Sequence, residues 1–130
     1  MYTYRKKIKK SHSATPNIST IDILDLSFAP RYSIADMEVK VTLYDVANEK
    51  SSIVYYRKIA VIDPLNVYYA PLVVNDSSFS KAEVGSAYAA YVQAVFYDVV
   101  TTSIYITAEN DTLSGTLNTT CIIDYKINFY

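Results

Sequence analysis

Apolar and polar residues alternate along most of this chain, the period of half-buried β-strands rather than of helices. Over 37–46, Met37, Val39, Val41 and Leu43 take one parity, and Glu38, Lys40 and Thr42 the other. Over 53–62, Ile53, Tyr55, Ile59 and Val61 share a face, and Asp63-Pro64 closes the segment because proline brings no N–H to a ladder. Thr102, Ile104, Ile106 and Ala108 alternate with Ser103, Tyr105 and Thr107. The longest alternation comes last. Leu113, Leu117, Cys121, Ile123, Tyr125, Ile127 and Phe129 share one parity, against Ser114, Thr116, Asn118, Thr120, Asp124, Lys126 and Asn128. So much apolar surface on one parity predicts a strand docked in a sheet.

Shorter signals fill the intervals. Residues 21–28 form an apolar run closed by Ala29-Pro30, and 67–74 read as a strand in which Pro71 marks an edge or a bulge. Polar clusters at 48–51, 75–78 and 109–111 read as turns or loops. Residues 80–100 carry two signals. Ser80-Lys81-Ala82-Glu83 matches a capping box, and Tyr88, Tyr91, Val92, Val95, Phe96 and Val99 fall on a helical stripe. Gly85-Ser86 interrupts that stripe, and its Val, Tyr and Phe residues favour a strand. The reading is a short helical turn near 80–85 and a strand over 87–98. Seven or eight short strands on these signals imply an all-β fold, a two-sheet antiparallel sandwich or a barrel.

The first 19 residues depart from this pattern and read as a basic N-terminal arm on a β-sandwich domain of residues 20–130. Arg5, Lys6, Lys7, Lys9 and Lys10 precede the first acid, Asp22. The other seven cations face all 13 acids, so the rest of the chain carries a formal charge of −6 within a net charge of −1. The arm has two readings. It is a solubilising tip, or it contacts a polyanion such as a nucleic-acid backbone, or a neighbouring subunit, with Tyr2 and Tyr4 supplying stacking. In either case residues 1–10 are expected to gain order only from a partner, with Tyr2–Ile8 able to pair as an edge strand in an assembly, and their removal is expected to spare the core. No recognition helix or zinc finger suggests base readout.

The remaining residues narrow the chemistry. The single histidine, His12, lies in the arm, where it has no rigid frame for Ser–His or Cys–His catalysis. The single cysteine, Cys121, reads as a small apolar strand residue. No CxxC or HExxH spacing occurs, and two glycines cannot build a phosphate-binding loop. The expectation is a protein that is not an enzyme, with no catalytic residue, no metal and no cofactor. Asn17, Asn75, Asn110 and Asn118 each begin an N-x-S/T triplet; these are candidate glycan acceptors or coincidences of a chain rich in Asn, Ser and Thr. The basic start runs into polar residues rather than an apolar signal segment, and no window reaches the roughly 18 apolar residues of a membrane span. Fourteen tyrosines and no tryptophan, within 51% hydrophobic residues, suit half-buried sheet faces and contacts with partners.

The basic start Met1-Tyr-Thr-Tyr-Arg-Lys-Lys-Ile-Lys-Lys, ahead of a Tyr/Ile/Val-rich, glycine-poor β body without catalytic groups, resembles a single-jelly-roll capsid protein of icosahedral viruses that infect hyperthermophilic archaea. The resemblance is one of architecture and composition, covers the whole chain loosely and carries no diagnostic motif. It implies a jelly roll, a shell subunit that self-assembles through its sandwich, and a virion location after synthesis in the host cytoplasm. The implied partners are other copies, other virion proteins and, through the arm, the nucleic-acid backbone. Eight jelly-roll strands in 20–130 require minimal loops. An immunoglobulin-like seven-strand sandwich suits that length equally, and the alternative functions are an immunoglobulin-like module of a surface filament or adhesive structure, or a small intracellular protein that binds nucleic acid or a host protein.

Overall fold

In the computed structural model, residues 1–45, 50–64, 73–84, 90–111 and 115–130 are described, with 50 and 73–84 described by their backbone. They form eight strands: β1 (Tyr2–Ala14), β2 (Ser19–Asp25), β3 (Ser33–Asp45), β4 (Lys50–Ile62), β5 (Val73–Val84), β6 (Ala90–Asp98), β7 (Ser103–Asn110) and β8 (Leu117–Phe129). Every paired neighbour is antiparallel. A five-stranded sheet of order β1-β8-β3-β4-β5 packs on a three-stranded sheet of order β2-β7-β6. The fold is an all-β, two-sheet antiparallel sandwich, and the described residues include no helix.

The alternation read in the sequence places the core. Met37, Val39, Val41 and Leu43 of β3 and Cys121, Ile123, Tyr125 and Ile127 of β8 are fully buried on facing rows of adjacent strands. Ile104, Ile106 and Ala108 of β7 and Val92, Val95 and Tyr97 of β6 cover them from the other sheet. Each such Val, Leu or Ile contributes about 1.5–3 kcal/mol through removal from water. In β4 the apolar residues occupy both parities, and the core takes Val54, Tyr56, Ala60 and Ile62. The row Ile53, Tyr55, Ile59 and Val61 faces outward, with Ile53 and Tyr55 exposed. The reason is register: Val39↔Tyr56 and Val41↔Val54 align the buried row of β3 with the even residues of β4.

Other expectations give way to pairing. The 75–78 loop and the helical turn near Ser80 lie within β5, where Ser80 pairs with Tyr55 and Glu83 with Ser52; Gly85 is outside the described residues. A ladder along β4 outweighs the local capping signal. The expected strand over 67–74 falls largely outside the described residues, only 73 and 74 lying in β5. The ambiguous stretch is a strand at Ala90–Asp98, with 87–89 outside the described residues.

The two open sides of the sandwich are closed by polar side chains. On one side the edge strand β6 meets β4: Val92 N donates to Ser52 Oγ at 3.2 Å and Tyr97 N to Tyr56 Oη at 3.1 Å. These bonds satisfy buried amides that have no strand beside them. On the other side Asn110 binds the end of β1, its Nδ2 donating to Ala14 O at 2.6 Å and its N to Thr15 O at 2.9 Å.

The largest correction concerns the N-terminus. Residues 1–19 are not an arm, because Tyr2–Ala14 is a 13-residue edge strand paired with β8 from Tyr2↔Phe129 to Ala14↔Leu117. Tyr4 and Ile8 pack on the core and Ala14 is inside it. Period-two alternation is present here, masked by lysines at inward positions of a strand whose outer edge is open to water.

Candidate functional site

Because β1 is extended, it sets its cations along a line. Arg5, Lys7 and Lys9 point outward at about 6.6–6.8 Å per step, while Lys6 and Lys10 share the inward parity at the open margin of the sandwich. Arg5, Lys6, Lys7 and Lys9 are exposed, and none of them forms an ion pair with another described residue. Arg5 stands opposite a further cation, Lys126, which raises the local positive potential, whereas Lys7 stands opposite an acid, Asp124. Tyr2, Tyr4, Arg5, Lys6, Lys7, Lys9 and Lys10 therefore share one strand, but with distinct surroundings.

Lys10 is occupied internally. Its Nζ donates to Ile21 O at 2.6 Å and lies 3.6 Å from Asp22 Oδ1. Asp22 also accepts the hydroxyl of fully buried Tyr125 at 2.6 Å. Burial, reinforced by that carboxylate, drives the Tyr125 phenol well above its ordinary value. Burial pushes the Cys121 thiol up to about 12, so the thiolate needed for nucleophilic chemistry is not populated at neutral pH. His12 sits at the same margin, its Nε2 2.9 Å from Ser19 Oγ, and burial followed by the nearby Lys10 lowers its pKa. This group joins β1, β2 and β8. No set of three or more His, Cys, Asp or Glu among the described residues converges on a metal-binding geometry.

The N-terminal end of β1 meets an aromatic cluster. Tyr2 stacks on Phe129 with centroids 5.8 Å apart, Tyr4 packs against Phe28 at 4.9 Å, and Phe28 meets Phe129 edge-on at 5.9 Å. Beside them an open hollow of about 330 Å³ is lined by Met1, Tyr2, Arg31, Tyr32, Phe129 and Tyr130, among others. Its wall is built from the interior outward. Asp63, its side chain 1% exposed, grips Arg31 through two bonds of 3.0 Å, and the guanidinium lies 5.0 Å from the Tyr32 ring centroid. Tyr130 is fixed by reciprocal backbone bonds with Ile34. Sequence reasoning missed Arg31, Tyr32, Asp63 and Tyr130. Asp63-Pro64 looked like a strand terminator, and nothing local links 31–32 to 63 and 130.

The outer face of the larger sheet offers less. Arg57 pairs with Asp36 at 3.0 Å, Tyr55 donates to Glu38 at 2.8 Å, and Lys126 lies 3.9 Å from Glu38. The shallow depression of about 140 Å³ between Arg5, Glu38, Lys40, Tyr55, Asp124 and Lys126 is lined by charges of both signs.

The N-x-S/T asparagines separate by environment. Asn17 and Asn118 are exposed, and Asn75 lies in β5. Asn110 is 4% exposed, with its amide donating to Ala14 O. A glycan on that nitrogen would break the closure of the sandwich, so Asn110 is removed as a candidate acceptor.

Among the described residues, no helix is long and apolar enough to cross a membrane. Comparison with known proteins finds no matching family model, curated protein or solved structure.

Proposed function

We propose that this chain is a structural subunit of a nucleic-acid-containing particle, of the virion-shell kind. Its sandwich meets other copies and other shell proteins, and its β1 edge faces the phosphate backbone of the packaged genome. The observation that carries this reading is the row of four exposed cations, Arg5, Lys6, Lys7 and Lys9, none of them in a salt bridge with a described acid, although the protein as a whole is slightly acidic and Asp124 stands across from Lys7. A fixed cationic row recovers affinity from counterion release without reading sequence. The nested pairing β1 with β8, β2 with β7 and β4 with β5 supports a relation to the jelly roll, which is a hairpin of strands rolled on itself. The fourth nested pair is replaced, since β3 pairs with β4 and β6 joins the smaller sheet.

The test is a salt titration of binding to a single-stranded oligonucleotide, with native mass measured alongside. If all four cations engage phosphates, log affinity falls against log salt with a slope of about −2.8, from about −0.7 per contact. Replacing Arg5, Lys6, Lys7 and Lys9 together by Gln should flatten the slope and prevent particles from forming with the oligonucleotide. Equal binding by both proteins, or binding by neither, overturns the proposal.

A further inference from the structure

We infer that the aromatic hollow at the end of the larger sheet stacks the unpaired bases of a single-stranded nucleic acid whose backbone runs along β1. This rests on the polyanion reading and adds to it that the strand is single and that its bases, not only its phosphates, are held.

Three observations converge. The first is continuity. One edge strand carries both: Tyr2, which lines the hollow, shares the inward parity of Lys6, and Arg5, Lys7 and Lys9 follow on the outward parity of the same edge, with Tyr2 to Lys9 spanning about 23 Å at 3.3 Å per residue. A charged track ending in exposed rings is the arrangement that binds single strands without sequence readout, since every base has a π face. A duplex keeps its bases paired and offers the rings nothing. The second is which rings are free. Tyr4 is held against Phe28, and the stacked Tyr2 keeps 52% exposure, whereas Tyr32 and Tyr130 are each 62% exposed. The stacking residues are therefore Tyr32 and Tyr130, with Tyr2 joining them, rather than the Tyr2–Tyr4 pair that the sequence suggests. The third is the construction of Tyr32. Its φ of 57° lies in the left-handed region that disfavours side chains with a Cβ, yet the position carries an exposed tyrosine. Asp63 holds Arg31 and Arg31 holds Tyr32, so a strained residue is fixed with its ring in solvent. Strain kept in this way clusters at ligand clamps.

The experiment compares three labelled probes on the full chain by fluorescence anisotropy: a short oligothymidylate, an abasic oligonucleotide of the same length and charge, and a duplex. The expected result is oligothymidylate bound about fivefold or more tightly than the abasic strand, the increment of one stacked base. Tyr32→Ala and Tyr130→Ala should remove that difference while leaving abasic binding and its salt slope unchanged. Tyr32→Gly supplies a control for folding: it relieves the positive φ, so thermal stability should hold or rise while the preference for oligothymidylate is lost. Equal binding of oligothymidylate and the abasic strand, a preference for duplex, or an undiminished preference in Tyr32→Gly would overturn the inference. With the salt slope intact, those results would leave the polyanion reading standing. Binding of no probe would overturn both.

Discussion

β1 and β8 are neighbouring strands of equal length, 13 residues each, aligned from end to end. They are built to opposite specifications. β8 has β1 on one side and β3 on the other, and its inward row of Cys121, Ile123, Tyr125, Ile127 and Phe129 is buried. β1 has a strand on one side only, and of its inward row Tyr2, Tyr4, Lys6, Ile8, Lys10, His12 and Ala14, Ala14 alone is fully buried. Position in the sheet decides how apolar a strand must be. At the margin a lysine can lay its stem along the sandwich and keep its charge in water. Such charges also discourage edge-to-edge pairing with another copy.

The contrast can be broken at several points. The largest effect should come from deleting residues 1–14. This removes the ladder on one side of β8 and uncovers its apolar row, so loss of soluble protein, or a fall in stability beyond any single substitution, is expected in denaturation. Next, Ile123→Ala in β8 should cost about 2–5 kcal/mol, as for a fully buried isoleucine, against about 1–2 kcal/mol for Ile8→Ala at the half-buried margin. Equal costs would mean that the two strands are buried alike. Tyr125→Phe, which leaves Asp22 without its hydroxyl donor, should cost about 1–3 kcal/mol.

pH separates the strands more gently. Burial raises the Tyr125 phenol in β8 above its ordinary value of 10.0 and Tyr97 in β6 to about 12. Their contribution is whole below pH 10 and is lost as pH rises above it, because the unfolded chain ionises first. His12 in β1 works in reverse. Its pKa is lowered from 6.5, so its contribution is whole above that value and is lost as pH falls through the lowered one. Thermal melts across pH should show an alkaline decline from about pH 10 that Tyr125→Phe reduces. They should also show a slight acid decline below about 6.5 that His12→Gln removes. The smallest effect is that of Lys7→Ala, within about 0.5 kcal/mol of the parent.

The same contrast explains what the sequence made legible. β3, β7 and β8 lie in the middle of their sheets, where the requirement for a buried row leaves an unmistakable parity. β4 carries apolar residues on both parities, and only its register with β3 selects the buried one. β5 has a capping-box sequence that pairing overrides. In β1 the alternation of Tyr4, Ile8 and Ala14 was present but hidden by Lys6 and Lys10. The cations proposed for contact were therefore found in the sequence, while their setting, a fixed strand, was not. The hollow was invisible for a different reason. Tyr2, Arg31, Tyr32, Asp63 and Tyr130 come from distant parts of the chain and meet only through the pairing of β1, β8, β3 and β4.

The central claim is that the basic segment is a built-in strand of the free protein, holding its cations in a row before any partner arrives. Amide hydrogen exchange on the isolated chain, in salt high enough to exclude polyanions, tests it directly. Alternate amides of an antiparallel edge strand point at the neighbouring strand and the others at water. Alternating protection is expected along residues 3–13, with the protected set matching the slow amides of β8. Uniformly fast exchange over residues 2–14, beside a protected β8, would contradict it and restore a loose arm that orders only on a partner.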